Sequence, residues 1–410
     1  MHPGGIGGGR RVEAGMDDGG RRHIGTEERR ARLALRHRLA GTARAAGPEA
    51  VAEALVALHG TDPATVYLAV AARLAEPVKA VPETERALYE DRTLVRMHGM
   101  RHTVFVFPAD LTAVVHASTG LMVAARERAS LLKDMAKAGA PDAAWLAEVE
   151  ASALSALARR GQATAAELAA DEPRLREQFV YAAGKSYEGV HTVSTRLLRV
   201  LGVEGKVVRG RPLGSWTSSQ FRWAVAPEHP ELDEAGAQSE LLRRWLEACG
   251  PATEADLKWW TGWRVTEVRR ALTTIGAQTV SLDEGTTGFV TRDDTEPVSD
   301  PGEPWAALLP ALDPTAMAWQ HRDWYLAPEL RPQLFDRSGN VGPTVWWNGR
   351  VVGGWAQRGD GEIVWRVLDP TAGREAEPTV AAEAERLRRV LAEARVTPRF
   401  RTPLEKELSA

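Results

Sequence analysis

The segments GQATAAELAAD, residues 161–171, and GPATEADLKWW, residues 250–260, are two copies of one pattern. Each copy follows an amphipathic stretch and begins with a glycine, as at the end of a helix. Thr164 and Thr253 are predicted to cap a new helix, because an acidic residue stands three positions later, where a capping box requires it. The pattern therefore predicts a helix, a break and a second helix at each place.

Each copy is followed by a periodic helix and then by two β-type runs. In the first copy the helix is predicted over residues 192–205 and the strands within 206–225; in the second, the helix over 265–276 and the strands within 277–292. Three helices closed by a two-stranded hairpin is the plan of a winged helix, a helix-turn-helix with a β wing. A generic helical repeat is the alternative, and the strands that follow the third helix in both copies favour the winged helix.

The rest of the chain extends this pattern at both ends. Residues 29–74 are predicted to form helices, and residues 94–108 a β-hairpin that turns near Gly99. From about Pro304 the sequence consists of short β-like runs, including DWYLAP at 323–328, and then a charged helix at 380–394. Asn348-Gly349, between TVWW and RVVGGW, is a strong hairpin signal.

The predicted fold class is therefore α+β, mainly α. It consists of tandem winged-helix domains followed by a C-terminal antiparallel β-sheet or partial barrel. The predicted divisions are a disordered leader at 1–25, with Met16 a candidate start, a first winged-helix-like domain at 26–135, winged helices at 136–230 and 231–300, and a β domain with a terminal helix at 301–410.

Composition excludes several classes of protein. The chain has 410 residues and one cysteine, Cys249, so neither a disulfide framework nor a cysteine zinc site is possible, which fits a reducing cytoplasm. No apolar run is long enough to cross a bilayer, and the first residues lack a hydrophobic signal core. Cys249 is predicted to be a small buried residue rather than a nucleophile. The 14 tryptophans are expected to pack between domains more often than to stack on bases.

Charge is unevenly distributed along the chain. The net charge is −3, yet residues 174–222 contain nine basic and three acidic residues, a local excess of +6. Residues 283–303 contain seven acidic residues and one arginine, a local −6. Because phosphate attraction depends on the local field, the basic segment remains compatible with a nucleic-acid partner.

No P-loop, dinucleotide-binding glycine motif, HExxH or GxSxG is present. Four other segments stand in order along the chain: LHGTDP (58–63), VRMHGMRHTV (95–104), ACGPAT (248–253) and LPALD (309–313). Together they resemble the AlkZ-like winged-helix DNA glycosylases, the AlkZ/YcaQ group, from about residue 30 to about residue 400. That family carries Q-x-Q or Q-x-D near the first segment, so His59 and Thr61 stand at the positions of the two motif residues.

The resemblance implies a monofunctional DNA glycosylase that removes purines alkylated at N7 or N3, including bulky natural-product adducts, in DNA repair or self-resistance. It implies double-stranded DNA as partner, a monomer, and no metal or cofactor. His59 would accept a proton from water, Thr61 would orient that water and Asp62 would stabilise positive charge. The alternative is that Thr61 or Asp62 only caps the helix that begins near Pro63.

Basic residues in the proposed hairpins are the candidates for phosphate contacts. The predicted DNA-binding residues are Arg96, Arg101 and His102 in the first hairpin and Arg196, Arg199, Lys206, Arg209 and Arg211 on the second recognition helix and its wing. Two non-enzymatic functions remain alternatives, a transcription regulator and a protein-binding scaffold. A sequence-specific footprint on undamaged DNA would favour the regulator. A protein-binding scaffold would show no salt-dependent DNA affinity at all.

Overall fold

The computed structural model describes residues 15–17, 19–139, 141–181, 184, 188–283 and 285–410. Residues 1–14 and 18 of the predicted leader lie outside that set. For the remainder of the leader, the prediction of disorder is wrong. His23 bridges to Ser281, and Ile24 is 0% exposed in a small cluster with Val280 and Leu282. A buried isoleucine fixes this segment against the third unit described below.

The first unit contains a helical layer and a three-stranded antiparallel sheet. Its elements are α1 (Thr26–Arg36), α2 (Pro48–Leu55), β1 (Leu58–His59), α3 (Pro63–Ala71), α4 (Ala80–Tyr89), β2 (Leu94–His98), β3 (Val104–Pro108), α5 (Thr112–Val115) and α6 (Leu121–Lys137). The strand order is β1-β3-β2, so the hairpin predicted near Gly99 is present. A side chain at Gly99 would lie 2.8 Å from the Phe107 ring, which explains the glycine at this turn.

The second unit has helices at the predicted positions and, after the last of them, two antiparallel strands. Its elements are α7 (Ala143–Arg160), β4 (Gln162–Ala163), α8 (Ala165–Asp171), β5 (Gln178–Tyr181), β6 (Gly189–Thr192), α9 (Val193–Val203), β7 (Val207–Pro212) and β8 (Phe221–Val225). Thr164 and Glu167 form the predicted capping box at the start of α8. The β5–β6 hairpin, between α8 and α9, is an addition that the sequence pattern did not predict.

The third unit repeats this order of elements. It contains α10 (Glu234–Cys249), α11 (Glu254–Thr261), α12 (Val265–Thr274), β9 (Gln278–Ser281) and β10 (Thr287–Val290). Thr253 and Asp256 form the second predicted capping box. Cys249 is buried and burial raises the pKa of its thiol, as expected of a packed side chain rather than a nucleophile.

The C-terminal unit is built on a four-stranded antiparallel sheet in the order β11-β12-β13-β14. Its elements are β11 (Ala306–Leu309), α13 (Pro314–Met317), α14 (Arg331–Leu334), β12 (Thr344–Trp347), β13 (Arg350–Gln357), β14 (Ile363–Val367), α15 (Ala376–Leu391) and α16 (Pro403–Leu408). Asn348 and Gly349 form the predicted turn, with φ of 45° and 79°. The β-type prediction for DWYLAP is wrong: Trp324 and Tyr325 are buried in a turn.

The largest hydrophobic core crosses three of the four units. It contains Leu33 of α1, Trp245 of α10 and Trp346 of β12, with Trp260 and Trp319 between them. The second unit has its own core, around Leu197 of α9. The first, third and C-terminal units are therefore packed as one body, and most of the tryptophans serve that packing. Among the described residues, no helix has the length and apolar character needed to cross a bilayer.

Candidate active site and nucleic-acid interface

His59 lies at the end of β1, where the chain crosses β3 before entering α3. Its ring meets the Phe105 ring edge-on, with centroids 5.3 Å apart. Gly60 donates a backbone hydrogen bond to Val104 at 2.8 Å, and a side chain at Gly60 would approach Phe105 and Val104 to 3.3 Å. The glycine between His59 and Thr61 therefore lets the motif lie tightly against the strand.

A narrow pocket opens beside His59. Its lining includes His37, Arg101, Phe105, Cys249 and Trp260, which come from the first and third units. The space accepts water-sized occupants rather than a purine ring system. Pro314, Met317 and Ala318 of the C-terminal unit complete the lining, so the pocket places His59 next to a site for water at the junction of three units.

His59 is neutral at physiological pH. Loss of hydration lowers its pKa to about 3, and the positive charge of Arg101 lowers it further. The Thr61 backbone N–H donates to Nδ1 of His59 at 3.4 Å. Because Nδ1 accepts this hydrogen bond, the proton of the neutral ring is assigned to Nε2. His59 is thus a weak base whose Nε2–H is available as a donor.

Asp62 lies in a different environment from His59. Its Oδ1 accepts from the Ala64 backbone N–H at 3.1 Å, and its Oδ2 from the Arg399 backbone N–H at 2.9 Å. It caps α3 and lines a separate pocket with Trp355. The structure does not bring this carboxylate together with His59, and its geometry matches the capping role that sequence left open.

Six arginines, some exposed and some largely buried, have no carboxylate partner among the described residues. We call this set the cationic belt; its members are Arg96, Arg101, Arg199, Arg209, Arg322 and Arg399. Within the described ranges, none of the six forms an ion pair with Asp or Glu. Arg96 is only 8% exposed, and its Nε and Nη2 have no hydrogen-bond partner among the described residues.

Electrostatic effects indicate two groups of neighbouring arginines within the cationic belt. Loss of hydration lowers the pKa of Arg209 to about 10, and the charges of Arg96, Arg199 and Arg399 add to this effect. Loss of hydration, followed by the charge of Arg322, also lowers the pKa of Arg101 to about 10. An uncompensated set of like charges attracts a polyanion such as the DNA backbone.

A cationic surface is compatible with an enzyme that acts on DNA and with a non-enzymatic DNA-binding protein. Comparison with known proteins decides between these classes. A family model described as DNA glycosylase AlkZ-like matches residues 52–390, more than half of the chain. The chain belongs to the AlkZ-like DNA glycosylase family. The predicted resemblance is thereby confirmed, and the family assigns the chain to the hydrolases that act on DNA.

A solved relative shows the same fold. The structure of the Streptomyces sahachiroi DNA glycosylase AlkZ superimposes with a TM-score of 0.69 at 20% sequence identity, covering 91% of this chain and 98% of that chain. No curated protein gives a significant match. The AlkZ-like fold of this chain therefore includes all four units described above.

Five of the eight predicted DNA-binding residues lie on or beside the cationic belt of this AlkZ-like glycosylase. Arg96, Arg101, Arg199 and Arg209 are members of the belt, and His102 accepts a hydrogen bond from Arg199 at 3.2 Å. His102 also lies 3.0 Å from a carboxylate oxygen of Glu127, which offsets part of its positive charge when it is protonated.

The other three predicted DNA-binding residues face carboxylates. Arg196 is buried in α9, 3.9 Å from Asp134. Lys206 pairs with Glu150 at 2.5 Å and with Glu204 at 3.2 Å. Arg211 pairs with Glu85 and Glu90 of the first unit at 3.2 and 3.0 Å. Carboxylates of the protein thus neutralise Arg196, Lys206 and Arg211, so these three residues are not part of the cationic belt.

Sequence reasoning missed three residues of this surface: Trp259, Arg322 and Arg399. Arg101 and Arg322 both lie over the Trp259 indole. The only available signal was that Trp259 and Trp260 are neighbours on α11 and must point to different faces of the helix. Arg322 and Arg399 lie in loops, where no periodic pattern marks them.

The LPALD motif of the glycosylase has a structural role. Asp313 pairs with Arg73 of the first unit at 2.7 Å, and neither side chain is exposed. Within the acidic segment 283–303, Asp294 pairs with Arg32 and Arg36 of α1. Among the described residues, no group of three potential metal ligands is present.

Proposed function

We propose that this AlkZ-like glycosylase hydrolyses the N-glycosidic bond of purines alkylated at N7 or N3 in double-stranded DNA. The observation that carries the proposal is the position of His59, in a water-sized pocket beside the cationic belt. Duplex phosphates contacting the belt would bring a glycosidic bond to the pocket mouth.

The chemistry needs a positioned water rather than a strong acid or base. Alkylation at N7 or N3 gives the base a positive charge, so it leaves without protonation, and neither a metal nor a cofactor is required. Water then adds at C1′ of an oxocarbenium-like species. In our proposal the Nε2–H of His59 donates a hydrogen bond to the water oxygen, and the Thr61 hydroxyl accepts a hydrogen bond from the water. Once the oxygen has bonded to C1′, its extra proton passes to bulk water.

This assignment revises two of the roles expected from sequence. A group with a pKa of about 3 is a poor proton acceptor at neutral pH, so His59 is proposed to orient water rather than to be protonated by it. Asp62 has no part in the proposed reaction, because both of its oxygens accept backbone hydrogen bonds.

The narrow pocket supports a preference for bulky lesions. A purine does not fit beside His59, so the alkylated base is proposed to remain outside the protein while its C1′ faces the pocket. Large natural-product adducts would then be accepted, in DNA repair or in self-resistance. We further propose that the enzyme is a cytoplasmic monomer, and that the second and third units are winged helices that hold the duplex.

The test is incubation of the protein with duplexes carrying N7-alkylguanine or N3-alkyladenine, followed by alkaline cleavage at abasic sites. We expect strand breaks with EDTA present, and a rate reduction of at least about tenfold for His59→Ala. His59→Gln should retain more activity than His59→Ala, since an amide can also donate to water. Thr61→Ser should retain more activity than Thr61→Val.

The outcomes separate the site from the function. Equal rates for His59→Ala and the parent enzyme would remove His59 from the reaction. The absence of abasic sites in every alkylated duplex would refute the activity itself. Because the pKa of His59 lies near 3, the single-turnover rate should show no His59 titration between about pH 5 and about pH 8.

A further inference from the structure

Two arginines from different units share one indole at the mouth of the His59 pocket. The Arg101 guanidinium carbon lies 4.1 Å from the ring centroid of Trp259, and that of Arg322 lies 5.0 Å from the same ring. Arg101 belongs to the β2–β3 turn, Trp259 to α11, and Arg322 to the loop between α13 and α14. The fold thus brings three distant segments together at this place. We call Arg101, Trp259 and Arg322 the arginine clamp.

The backbone at Arg101 is held in an uncommon conformation. Arg101 and His102 are consecutive non-glycine residues with φ of 54° and 58°, in the left-handed region. Gly262, the C-cap of α11, lies directly against Arg101, and a side chain there would approach Cγ of Arg101 to 3.2 Å. Such conformations cost free energy and are concentrated at functional sites. The packing therefore maintains Arg101 beside Trp259 against a local preference.

The arginine clamp has excess positive charge and free donors. In the part of the chain that the structure describes, neither guanidinium pairs with a carboxylate, and Arg322 Nε donates to the Trp319 carbonyl at 2.8 Å. Arg101 is exposed and Arg322 is partly exposed, so both can be reached from solvent. The nearby like charge of Arg322 contributes to the lowered pKa of Arg101. An anion placed between them would relieve this repulsion.

We propose that Arg101 and Arg322 bind one phosphodiester group of the DNA backbone beside the lesion, and so fix the nucleotide whose C1′ faces His59. This inference rests on the proposed function. A guanidinium stacked on an indole keeps its N–H edge free, and that edge matches two phosphate oxygens. The bound phosphate also offsets one of the two positive charges that would otherwise oppose the positive charge developing at C1′. Arg322 is thus a positioning residue.

The first experiment measures how many phosphates the protein neutralises. Affinity for an undamaged duplex is measured against salt concentration for the parent, Arg322→Ala, Arg101→Ala/Arg322→Ala, Arg322→Lys and Arg388→Ala. Arg388 is the matched control, because it is exposed and pairs with Glu385 on α15. We expect Arg101→Ala/Arg322→Ala to reduce the slope of log K against log salt by about 0.9, the effect of losing one phosphate contact, and Arg322→Ala to reduce it by less, because Arg101 still contacts the phosphate. Arg388→Ala should match the parent, and an unchanged slope for Arg101→Ala/Arg322→Ala would overturn the proposal.

The second experiment locates the phosphate. Single linkages around an N7-methylguanine are replaced in turn by neutral methylphosphonate, and single-turnover rates are measured with saturating enzyme. At one linkage we expect the parent to lose at least about tenfold in rate and Arg101→Ala/Arg322→Ala to lose no more than about twofold, because in that variant the contact is already absent. Equal fold-losses in the two proteins at every linkage would refute the clamp. Arg322→Lys should preserve the salt slope and still lose rate, since lysine lacks the planar fork.

Further comparisons distinguish failure of the proposed function from failure of the arginine clamp. If the parent cleaves no alkylated duplex, the proposed function fails, while the salt slopes still test the arginine clamp. If the parent is active and Arg322→Ala equals it in slope and rate, the clamp alone fails. Inorganic phosphate at constant ionic strength should compete with the DNA backbone for the arginine clamp, so it should inhibit the parent more than Arg101→Ala/Arg322→Ala. Equal inhibition of the two proteins would contradict a phosphate site formed by the two arginines.

Discussion

Replacing Asp313 with alanine removes the carboxylate that neutralises Arg73, at a place where both side chains are 0% exposed. The two carboxylate oxygens accept from Arg73 at 2.9 and 2.7 Å. Oδ1 also accepts from the Thr315 backbone N–H and so caps α13. This pair joins the segment after α3 to the C-terminal unit. Its loss therefore affects the packed first, third and C-terminal units, which together form the His59 pocket.

The expected magnitude follows from the burial of the pair. Removing one partner of a buried ion pair leaves an uncompensated charge and costs about 3–5 kcal/mol. Arg73 keeps its hydrogen bonds to the backbone oxygens of Ala69 and His37, at 2.8 and 3.0 Å, but these dipoles do not replace a counter-charge. Loss of the helix cap adds about 1 kcal/mol. We therefore expect Asp313→Ala to lower the free energy of unfolding by about 4–6 kcal/mol.

A double-mutant cycle isolates the ion pair from its surroundings. The variant Arg73→Met/Asp313→Leu replaces both charges with apolar groups, so it should be more stable than Asp313→Ala by at least about 2 kcal/mol. The assay is urea unfolding followed by tryptophan fluorescence and circular dichroism, with comparable denaturant slopes among the variants. If Asp313→Ala costs less than about 1 kcal/mol, or if the single and double variants are additive, the pair does not stabilise the fold in this way.

Three further predictions address pH, capping and DNA contact. Burial lowers the pKa values of His37 and His98 to about 3. The free energy of unfolding should therefore fall as pH drops below about 6.5, by about 1.4 kcal/mol per pH unit for each histidine. In thermal melts His98→Gln should make this decline shallower, and an unchanged decline would contradict the burial argument. Thr253→Ala should cost about 1 kcal/mol in urea unfolding and Thr253→Ser should recover most of it; no loss in the alanine variant would argue against the capping box. In anisotropy titrations, Arg209→Ala should reduce the slope of log K against log salt for duplex binding by about 0.9, and Lys206→Ala should reduce it by much less. The reverse order would contradict the conclusion that Lys206 is neutralised within the protein and Arg209 is not.

Local features of the fold could be predicted from sequence because they depend on residues close together in the chain. The capping boxes at Thr164 and Thr253 need only a partner three residues later, and both are present. The turn at Asn348-Gly349 depends on two adjacent residues that tolerate positive φ. The order of four short motifs sufficed for the family, and the first of them led to His59. The β-type prediction for DWYLAP failed because a strand also needs a partner, which the local pattern does not specify.

The distribution of free and compensated charge was decided by the tertiary structure alone. Arg209 and Arg211 are two residues apart and equivalent in sequence, yet Arg211 faces Glu85, 126 positions away, while Arg209 faces other arginines. The two arginines of the clamp are likewise brought together only by packing against Trp259. Coulomb interactions depend on distance in space and on the removal of water, and neither quantity can be calculated from positions along a chain. The sequence by itself determined the helices, their caps and the family; the packing of the units determined which cations remain for DNA.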